Sequence, residues 1–428
     1  MTQRDGSAPS PGSARPIDGW VNEQDGSPTG SAPRDGLGAQ LPGPRLRLLC
    51  YVLRPMRSHY AGRRVLVTGH TGFKGSWLSL WLKELGADVF GYALDPATSP
   101  DLFTVARVGE CVDDARGDVR DGAKLAARIE EVKPDFVFHL AAQPIVRASY
   151  DDPVLTMGTN VMGTVHLLDG VRRAGRACAV VIVTTDKCYE DTGGYACRET
   201  DRLGGSDPYS ASKACAELVT SSYVRSFFGP TSNIRVASAR AGNVIGGGDY
   251  AADRLIPDLV RSIQRKDTLV LRHPESIRPW QHVLEPLSGY LWLGALLAGK
   301  DGHRYVDGWN FGPSTDGFRT VLEIAQRATT QLGGHPIEVG NTDPSRHEMA
   351  SLMLSTDKAR RHLRWSPVWD IDRAVDETMA WYGAVFAGRD GREETSKQIA
   401  AFTKDAAARK VSWVETHRVG TQKEAHPG

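Results

Sequence analysis

The stretch from Arg64 to Ser76 reads Arg-Val-Leu-Val-Thr-Gly-His-Thr-Gly-Phe-Lys-Gly-Ser. Its first five residues are mostly aliphatic, which predicts a buried strand, and a helix is expected to start at Ser76. Gly69, Gly72 and Gly75 lie in the turn between them, where glycine lets backbone N–H groups approach a pyrophosphate at the helix N-terminus. A glycine-rich loop without a ligand is the alternative. The order strand, turn and helix favours dinucleotide binding.

Further apolar runs along the chain alternate with helical patterns. Strands are predicted at residues 64–68, 87–93, 135–139, 179–184 and 235–239. Helices are predicted at residues 77–85, 251–265, 284–298 and 320–332. Strands separated by helices indicate βαβ units and a parallel sheet covered on both faces. The predicted fold class is therefore α/β, a Rossmann-type doubly wound parallel sheet with a smaller, mostly C-terminal substrate lobe.

Composition and pattern divide the chain into four parts. Residues 1–60 are rich in Gly, Ser, Pro, Asp and Gln over most of their length, and we expect a disordered N-terminal tail because such a segment buries too little apolar surface. The dinucleotide-binding Rossmann domain is assigned to 61–241 and the substrate-binding lobe, interleaved with it, to 242–388. Residues 389–428 are predicted to be a polar C-terminal tail, helical from Glu393 to His417.

The charge and cysteine content exclude several classes of protein. The 428 residues contain 52 Lys and Arg against 51 Asp and Glu, so no global field attracts nucleic acid or a membrane. The six cysteines form no Cys-x-x-Cys pair, which argues against a metal site or a disulfide framework and favours the reducing cytoplasm. The longest apolar stretch, around 287–298, is too short to span a bilayer.

A proton-transfer pair is suggested by Tyr209 and Lys213, which are spaced one helical turn apart. The reference pKa of tyrosine is about 10, too high for a base at neutral pH. A lysine one turn away, together with a positive nicotinamide, would stabilise the phenolate and lower that pKa. Tyr209 would then take a hydroxyl proton while a hydride passes to the cofactor. An ordinary amphipathic helix is the alternative, and the upstream glycine loop favours the catalytic interpretation.

A second group of polar residues, Thr185-Asp186-Lys187, follows the predicted strand 179–184. Ligands bind at the carboxyl ends of parallel strands, so these side chains should border the nicotinamide. Thr185 supplies the hydroxyl that a dehydrogenase needs. A buried, protonated Asp186 could in addition protonate a departing hydroxide. The alternative is that Asp186 caps the following turn, and the residues alone leave both interpretations open.

Several long blocks resemble the extended short-chain dehydrogenase/reductase family, and within it the CDP-glucose 4,6-dehydratase branch, from about residue 62 to residue 381. They include Thr-Gly-His-Thr-Gly-Phe-Lys-Gly-Ser-Trp at 68–77, Arg-Ala-Gly-Asn-Val-Ile-Gly-Gly-Gly-Asp at 240–249 and Ile-Arg-Pro-Trp-Gln-His-Val at 277–283. The remaining blocks lie at residues 141–144, 159–164, 185–189, 204–210 and 308–313.

The resemblance implies a bound nicotinamide dinucleotide. The implied cofactor contacts are Gly69, Gly72, Phe73, Lys74, Gly75, Asp118, Val119, Ala141, Tyr209 and Lys213. The acid that often holds the adenosine ribose falls on Ala93, with Asp95 two residues later. No arginine stands at the end of that strand to hold a 2′-phosphate, which favours NAD over NADP.

The reaction implied by the resemblance is an intramolecular redox cycle on a CDP-hexose. Tyr209 deprotonates the C4 hydroxyl as hydride leaves C4, water is lost across C5 and C6, and the hydride returns to C6. Asp186 is the candidate acid for the C6 hydroxyl. At the position of Lys187 the dTDP-glucose relatives carry glutamate as the C5 base. Lys187 is either that base, which we favour, or a charge that stabilises the enolate.

Binding of the substrate, CDP-glucose, is expected to depend on three residues that the resemblance places at the diphosphate and ribose and on two additional arginines, Arg147 and Arg254. A solvated surface charge is the alternative for any single arginine, and it is favoured for Arg254. The five candidates together are Arg147, Asn243, Arg254, Arg278 and His347. A homodimer is implied through helices that include 160–174 and 208–227.

Two other functions share the same scaffold. A sugar-nucleotide 4-epimerase would need Tyr209 and Lys213 but not Asp186 and Lys187. A non-catalytic NAD-binding regulator would not need the Tyr209/Lys213 pair, and this chain keeps both residues.

Overall fold

The centre of the fold is a parallel sheet of seven strands, in the order β11-β6-β5-β4-β1-β2-β3. The computed structural model describes residues 54–191, 193–314, 317–340 and 353–414. The seven strands are β1 Arg64–Thr68, β2 Asp88–Ala93, β3 Asp113–Arg116, β4 Phe136–His139, β5 Cys178–Val183, β6 Ile234–Ala241 and β11 Gly308–Phe311. The strand order reverses between β1 and β4, and ligands of open α/β sheets bind at such a point. The predicted Rossmann-type sheet is confirmed.

In the ranges that the structure describes, six short strands lie outside the main sheet. They are β7 Val244–Ile245, β8 Leu269–Leu271, β9 Ile277–Pro279, β10 Gln281–His282, β12 Phe318–Thr320 and β13 Ile337–Val339. β8 pairs with β13 and β7 with β10 in parallel, whereas β9 pairs with β12 antiparallel.

Helices cover the sheet, and two helical stretches are π-helical, Gly158–Met162 and Ala359–Leu363. The first eight α-helices are α1 Arg54–Tyr60, α2 Phe73–Glu84, α3 Leu102–Val105, α4 Gly122–Val132, α5 Val146–Asp151, α6 Pro153–Met157, α7 Gly163–Ala174 and α8 Pro208–Phe227. The last five are α9 Leu255–Arg265, α10 Leu284–Ala298, α11 Val321–Gln331, α12 Ile371–Phe386 and α13 Gly391–Ala408.

The helix after the glycine loop, α2, begins at Phe73, three residues before the predicted start at Ser76. Gly72 is its N-cap, in extended conformation, and Gly75 already lies in the first turn. A Cβ on Gly75 would stand 2.1 Å from the carbonyl oxygen of Gly69, so only glycine allows this turn to close so tightly.

The N-terminal boundary of the folded part lies earlier than the predicted tail of residues 1–60 implies. Residues 1–53 lie outside the described residues, but α1 is folded onto the core. Met56 and Tyr60 are fully buried, and the Tyr60 hydroxyl donates to the carbonyl oxygen of Leu291 at 2.6 Å. Residues 54–60 therefore belong to the folded unit.

The sequence predicts a polar, helical C-terminal tail over 389–428. The structure contains a helix there, but this helix packs on the core instead of forming a tail. α13 ends at Ala408 rather than at His417, and residues 415–428 lie outside the described residues. Phe402 and Trp413 are fully buried against Trp81 of α2, with ring centroids 5.8 and 6.1 Å from that of Trp81. Residues 391–414 thus form part of the core, because a few large apolar side chains in a polar sequence point to one side.

We expect Trp413→Ala to lower the free energy of unfolding by about 3–5 kcal/mol, because it empties the space of a fully buried indole. Urea denaturation measures the change. Lys404→Ala, an exposed position on α13, is the control and should alter stability by less than about 0.5 kcal/mol. Equal stability of the Trp413 variant and the wild type would contradict a structural role for the segment after α13.

The region predicted as the substrate lobe, 242–388, contributes a strand to the main sheet as well as elements outside that sheet. The predicted helices at 251–265, 284–298 and 320–332 are found as α9, α10 and α11. Strand β11 joins the edge of the main sheet beside β6, and α10 packs against β5 and β6. Within this region, α9, α11, α12 and the short strands lie outside the main sheet, and the chain passes back into it at β11. Among the described residues, no helix combines the length and apolarity needed to cross a membrane.

Candidate active site

A cavity of about 590 Å³ opens at the carboxyl ends of the central strands. The loops that follow β1, β4, β5 and β6 form its walls, and the segment around α9 completes it. The predicted site residues that line it are Gly69, Gly72, Phe73, Lys74, Gly75, Asp118, Val119, Ala141, Arg147, Thr185, Asp186, Lys187, Tyr209, Lys213, Asn243, Arg254 and Arg278. His347 lies outside the described residues. The fold therefore brings residues from 69 to 278 to one place.

The glycine loop forms a closely packed cradle at one end of the cavity. Gly69 has a φ of +75°, and a Cβ there would stand 2.7 Å from the backbone nitrogen of Ala141. The N-cap of α2, Gly72, provides no side-chain cap, so the first N–H groups of the helix have no capping side chain. An N-terminus of this kind suits a phosphate group. The residues fit the pyrophosphate of a dinucleotide.

An arginine that no sequence pattern indicated lies beside Leu94 and Asp95, two residues that line the cavity. Arg116, at the end of β3, donates to the carbonyl oxygen of Leu94 at 3.2 Å and pairs with Asp114 at 2.9 Å and Asp95 at 3.5 Å. No arginine was expected at the end of β2, and none is there. Arg116 reaches the same place from the neighbouring strand, where two carboxylates already balance its charge.

Asp118, the predicted adenine contact, is held by its own neighbour. The Arg120 side chain donates to Asp118 Oδ2 at 2.8 Å through Nε, and the Arg120 backbone N–H donates to Oδ1 at 2.8 Å. The hydrogen bond from the Arg120 side chain keeps the pKa of Asp118 below its usual range. Asp118 is thus a fixed, charged acceptor at the rim of the cavity.

Tyr209 and Lys213 lie on the first turns of α8 and are both buried. Asp207 caps this helix by accepting from the Ser210 N–H at 2.9 Å, which fixes where the helix begins. Burial raises the pKa of Tyr209 to about 12, against a hydrogen bond with Thr185 that lowers it. Burial lowers the pKa of Lys213 to about 8.

The pairing of Tyr209 with Lys213 differs from the expectation that the lysine would lower the tyrosine pKa. The Lys213 ammonium donates to the carbonyl oxygen of Val183, at the end of β5, at 3.1 Å. For both groups the loss of hydration has the largest effect on the pKa. The protein groups alone therefore keep Tyr209 protonated at neutral pH.

Asp186 is 2% exposed at the end of β5. Thr185 Oγ1 donates to Asp186 Oδ1 at 3.0 Å, and Asp186 Oδ2 has no hydrogen-bond partner among the described residues. Burial raises the pKa of Asp186, while Lys187 and then the hydrogen bond from Thr185 act against this rise. A carboxyl group in this environment holds its proton more readily than an exposed one and can donate it.

The turn after β5 is capped by a residue other than Asp186. The 3₁₀ turn Asp186–Cys188 is capped by Thr185, whose hydroxyl accepts from the Lys187 N–H at 3.4 Å. Asp186 does not cap the turn, so its carboxyl group is available to the cavity. Lys187 is half-buried in the cavity wall.

Several cations line the remainder of the cavity. Burial, with a contribution from Arg254, lowers the pKa of Lys74 to about 8. Arg254 pairs with Asp249 at 3.0 Å, and Arg147 lies 3.8 Å from Asp253. Arg278, 7% exposed in β9, also faces the cavity. This concentration of positive charge in a buried space suits an anionic ligand.

Asn160 supports the site from behind, a role that sequence reasoning did not assign. Its side-chain oxygen accepts from the Gln143 N–H at 2.9 Å, and its side-chain nitrogen donates to Ser212 Oγ at 2.8 Å. Asn160 thereby fixes the loop after β4 to α8. It stands in the block at 159–164, which was the only signal in the sequence.

No cluster of His, Cys, Asp and Glu able to hold a metal ion occurs among the residues whose placement is described.

Known proteins resemble this chain over most of its length. The model of the GDP-mannose 4,6 dehydratase family matches residues 66–378. A CDP-glucose 4,6-dehydratase from Salmonella typhimurium is 46% identical over 359 residues, which are 81% of this chain and 99% of that protein. A dTDP-glucose 4,6-dehydratase from Xanthomonas campestris is 28% identical, covering 74% of this chain and 92% of that protein.

A solved structure agrees with the fold. The dTDP-glucose 4,6-dehydratase from Streptomyces venezuelae, determined with NAD bound, matches with a TM-score of 0.64 and 26% identity over 77% of this chain and 99% of its own. The predicted resemblance is confirmed. With its family model covering residues 66–378, the chain belongs to the GDP-mannose 4,6 dehydratase family.

Proposed function

We propose that this chain is an NAD-dependent hydro-lyase that converts CDP-glucose to CDP-4-keto-6-deoxyglucose. The observation that carries the proposal is a buried carboxyl oxygen of Asp186 that has no hydrogen-bond partner in the described part of the chain and lies in the same cavity as Tyr209 and Lys213. A 4-epimerase has no use for an acid that holds its proton at this point. The 46% identity to a CDP-glucose 4,6-dehydratase supports the choice of nucleotide.

The cofactor is held by the cradle of residues 69–75, Asp118, Val119 and Ala141. NAD, when bound, supplies the acceptor for a hydride and its positive nicotinamide charge. That charge is the missing contribution to the Tyr209 pKa. The cluster of Arg116, Asp95 and Asp114 supports NAD over NADP, because an arginine balanced by two carboxylates offers little to a 2′-phosphate.

The side chains divide the chemistry between them. Tyr209 takes the proton of the C4 hydroxyl as hydride leaves C4, and the Thr185 hydroxyl orients the same oxygen. The C4 ketone makes the C5 proton acidic, and a base removes it. Asp186 gives its proton to the C6 hydroxyl, so the C6–O bond breaks and water leaves. Hydride then returns to C6 and a proton to C5, which leaves the cofactor in its starting oxidation state.

Lys187 is proposed as the C5 base. Lys187→Met should abolish exchange of the C5 proton with solvent, measured as deuterium incorporation from heavy water, because the variant has no amine at the position proposed for the base. Lys187→Arg separates the two roles, since it keeps the charge but is protonated at any working pH. Exchange that persists in the arginine variant at the wild-type rate would show that Lys187 acts through its charge.

The substrate diphosphate is proposed to bind among Arg147, Arg254, Arg278 and Asn243, with His347 at the nucleotide ribose. Arg278 is the strongest candidate because it is nearly fully buried in the cavity wall. Arg254 already pairs with Asp249 and Arg147 lies near Asp253, so they contribute less charge to a ligand.

Incubation with CDP-glucose, dTDP-glucose and GDP-mannose in parallel tests the function. We expect loss of one water from CDP-glucose in the mass spectrum, with a 4-keto product that absorbs in alkali. An isomer of unchanged mass would show a 4-epimerase. No reaction with any of the three sugars would contradict the proposal.

A homodimer in the cytoplasm is also proposed. Large apolar side chains are exposed on the two helical segments expected to pair: Met162 before α7, and Leu218 and Phe227 on α8. Sedimentation of the purified chain tests the dimer. The cytoplasmic location is supported by the five cysteines in the described part of the chain, which are free thiols.

A further inference from the structure

A network of buried polar side chains lies behind the cavity wall, and the proposed chemistry uses none of it. Its centre is the ion pair of Glu217 and Arg240, joined at 2.8 Å, with side chains 4% and 6% exposed. Glu217 stands on α8, one turn beyond Lys213, and Arg240 stands on β6. The pair therefore connects the helix of the proton-transfer residues to the sheet.

One branch of the network reaches the residue just before the acid segment, defined as Thr185–Lys187. Thr184 Oγ1 donates to Glu217 Oε1 at 2.5 Å. The other carboxylate oxygen of Glu217 accepts from Ser238 Oγ at 2.6 Å as well as from Arg240. Both oxygens of Glu217 are thus occupied, and each of these hydrogen bonds is buried.

The second branch reaches the residue that follows the turn after β5. Arg240 Nη1 donates to the hydroxyl of Tyr189 at 2.6 Å, and this hydroxyl donates to Asn310 Oδ1 at 2.7 Å. Asn310 in turn donates to the carbonyl oxygen of Cys197 at 3.0 Å. Burial raises the pKa of Tyr189, which keeps its hydroxyl protonated and able to donate.

The two branches hold the acid segment at both sides. Thr184 precedes it and Tyr189 closes the turn that contains it, and both are tied to the Glu217–Arg240 pair. Because Glu217 and Lys213 share one helix, a shift of either branch moves Asp186 and Lys187 relative to Tyr209 and Lys213. A displacement of about 1 Å between reacting groups can lower a rate by about 10²-fold.

We propose that Tyr189, Arg240, Glu217 and Thr184 are positioning residues that set the acid segment in register with Tyr209 and Lys213. Tyr189 matters more for the loss of water than for oxidation at C4, since it closes the turn on the side that follows Lys187. Thr185 lies at the other end of that turn, next to Thr184, and Tyr209 and Lys213 lie on α8. This inference rests on the proposed dehydratase function.

Tyr189→Phe tests the inference, because it removes one hydroxyl from the network and keeps the ring. With CDP-glucose, we expect kcat for water loss to fall about 10- to 100-fold with a KM within about threefold of wild type. The absorbance of reduced nicotinamide should rise during turnover, because oxidation at C4 continues while elimination is slow. Tyr60→Phe is the control: it also removes a buried, hydrogen-bonded hydroxyl, which bonds to Leu291 O, and should leave kcat and the cofactor spectrum unchanged.

A second pair of variants separates positioning from folding. Thr184→Val removes the hydroxyl that donates a hydrogen bond to Glu217 and should also lower kcat with little change in KM, whereas Thr184→Ser should restore the wild-type kinetics. Wild-type kcat in Tyr189→Phe, or equal loss of oxidation and elimination without reduced cofactor, would overturn the inference. A wild-type enzyme that removes no water would instead contradict the proposed function.

Discussion

Replacing Tyr209 by Phe is expected to lower kcat for CDP-glucose by about 10²- to 10⁴-fold, the range attributed to a positioned acid or base. The variant keeps the ring in its buried place but has no group to take the C4 hydroxyl proton. Oxidation at C4 comes first, so no later step can proceed. Stopped-flow absorbance should show no reduced nicotinamide, and mass spectrometry should show unchanged CDP-glucose.

Tyr223→Phe is a matched control on the same helix. Tyr223 packs against Phe227 and Phe228 outside the cavity, and we expect its variant to keep kcat within about twofold. The Tyr209 variant should still copurify with NAD although it lacks one of the implied cofactor contacts, because the cradle of residues 69–75, Asp118, Val119 and Ala141 is unchanged. Full turnover by Tyr209→Phe would remove Tyr209 from the mechanism. Full biological function of a Tyr209→Phe variant that has lost turnover would instead favour the non-catalytic regulator.

The sequence predicts the middle of the sheet well and its edges poorly. β1, β2 and β4–β6 are rich in apolar residues because helices cover both faces of the sheet, and their runs are visible without a structure. β3 reads Asp-Asp-Ala-Arg and is mostly exposed at the edge, so no hydrophobic pattern marks it. β11 forms the opposite edge of the sheet, beside β6. It begins at residue 308, 67 residues after the end of β6 at residue 241, so the two strands are far apart in the sequence.

The sequence predicts which residues come together in the site. It does not predict the hydrogen-bond and ion-pair partners that these residues have there. One rule, that ligands bind at the carboxyl ends of parallel strands, brings the glycine loop, Asp186 and Tyr209 together. The balancing of Arg116 by two carboxylates and the pairing of Glu217 with Arg240 involve side chains on different elements. Such pairs depend on packing across the fold, and the local sequence carries no sign of them.

The pH dependence of the wild-type enzyme should reflect the protonation of Asp186. Burial raises the pKa of this carboxyl group, and only the protonated form can assist the departing hydroxide. Activity that depends on it is present below the raised pKa and is lost as the pH rises through it. This loss forms the alkaline limb of the pH–rate profile. Because it belongs to the elimination step, it should appear in kcat for water loss and not in the rate of C4 oxidation.

Asp186→Asn should therefore separate the two halves of the reaction. Asparagine matches the shape of aspartate and can still accept the hydrogen bond from Thr185, but it has no acidic proton to give. We expect water loss to fall by about 10²- to 10⁴-fold while CDP-glucose is still oxidised at C4. Absorbance of reduced nicotinamide should then rise in one turnover and persist, and the limb in the pH profile should disappear.

The value of this variant lies in the two outcomes that would contradict the assignment. Loss of both oxidation and water loss would mean that Asp186 orients the sugar or the Thr185 hydroxyl rather than donating a proton. Wild-type water loss would mean that another group protonates the C6 hydroxyl. Tyr209→Phe and Asp186→Asn should thus give opposite cofactor spectra with the same substrate, no reduction in the first and persistent reduction in the second. That contrast follows only if Tyr209 acts before Asp186 on one sugar held in one cavity.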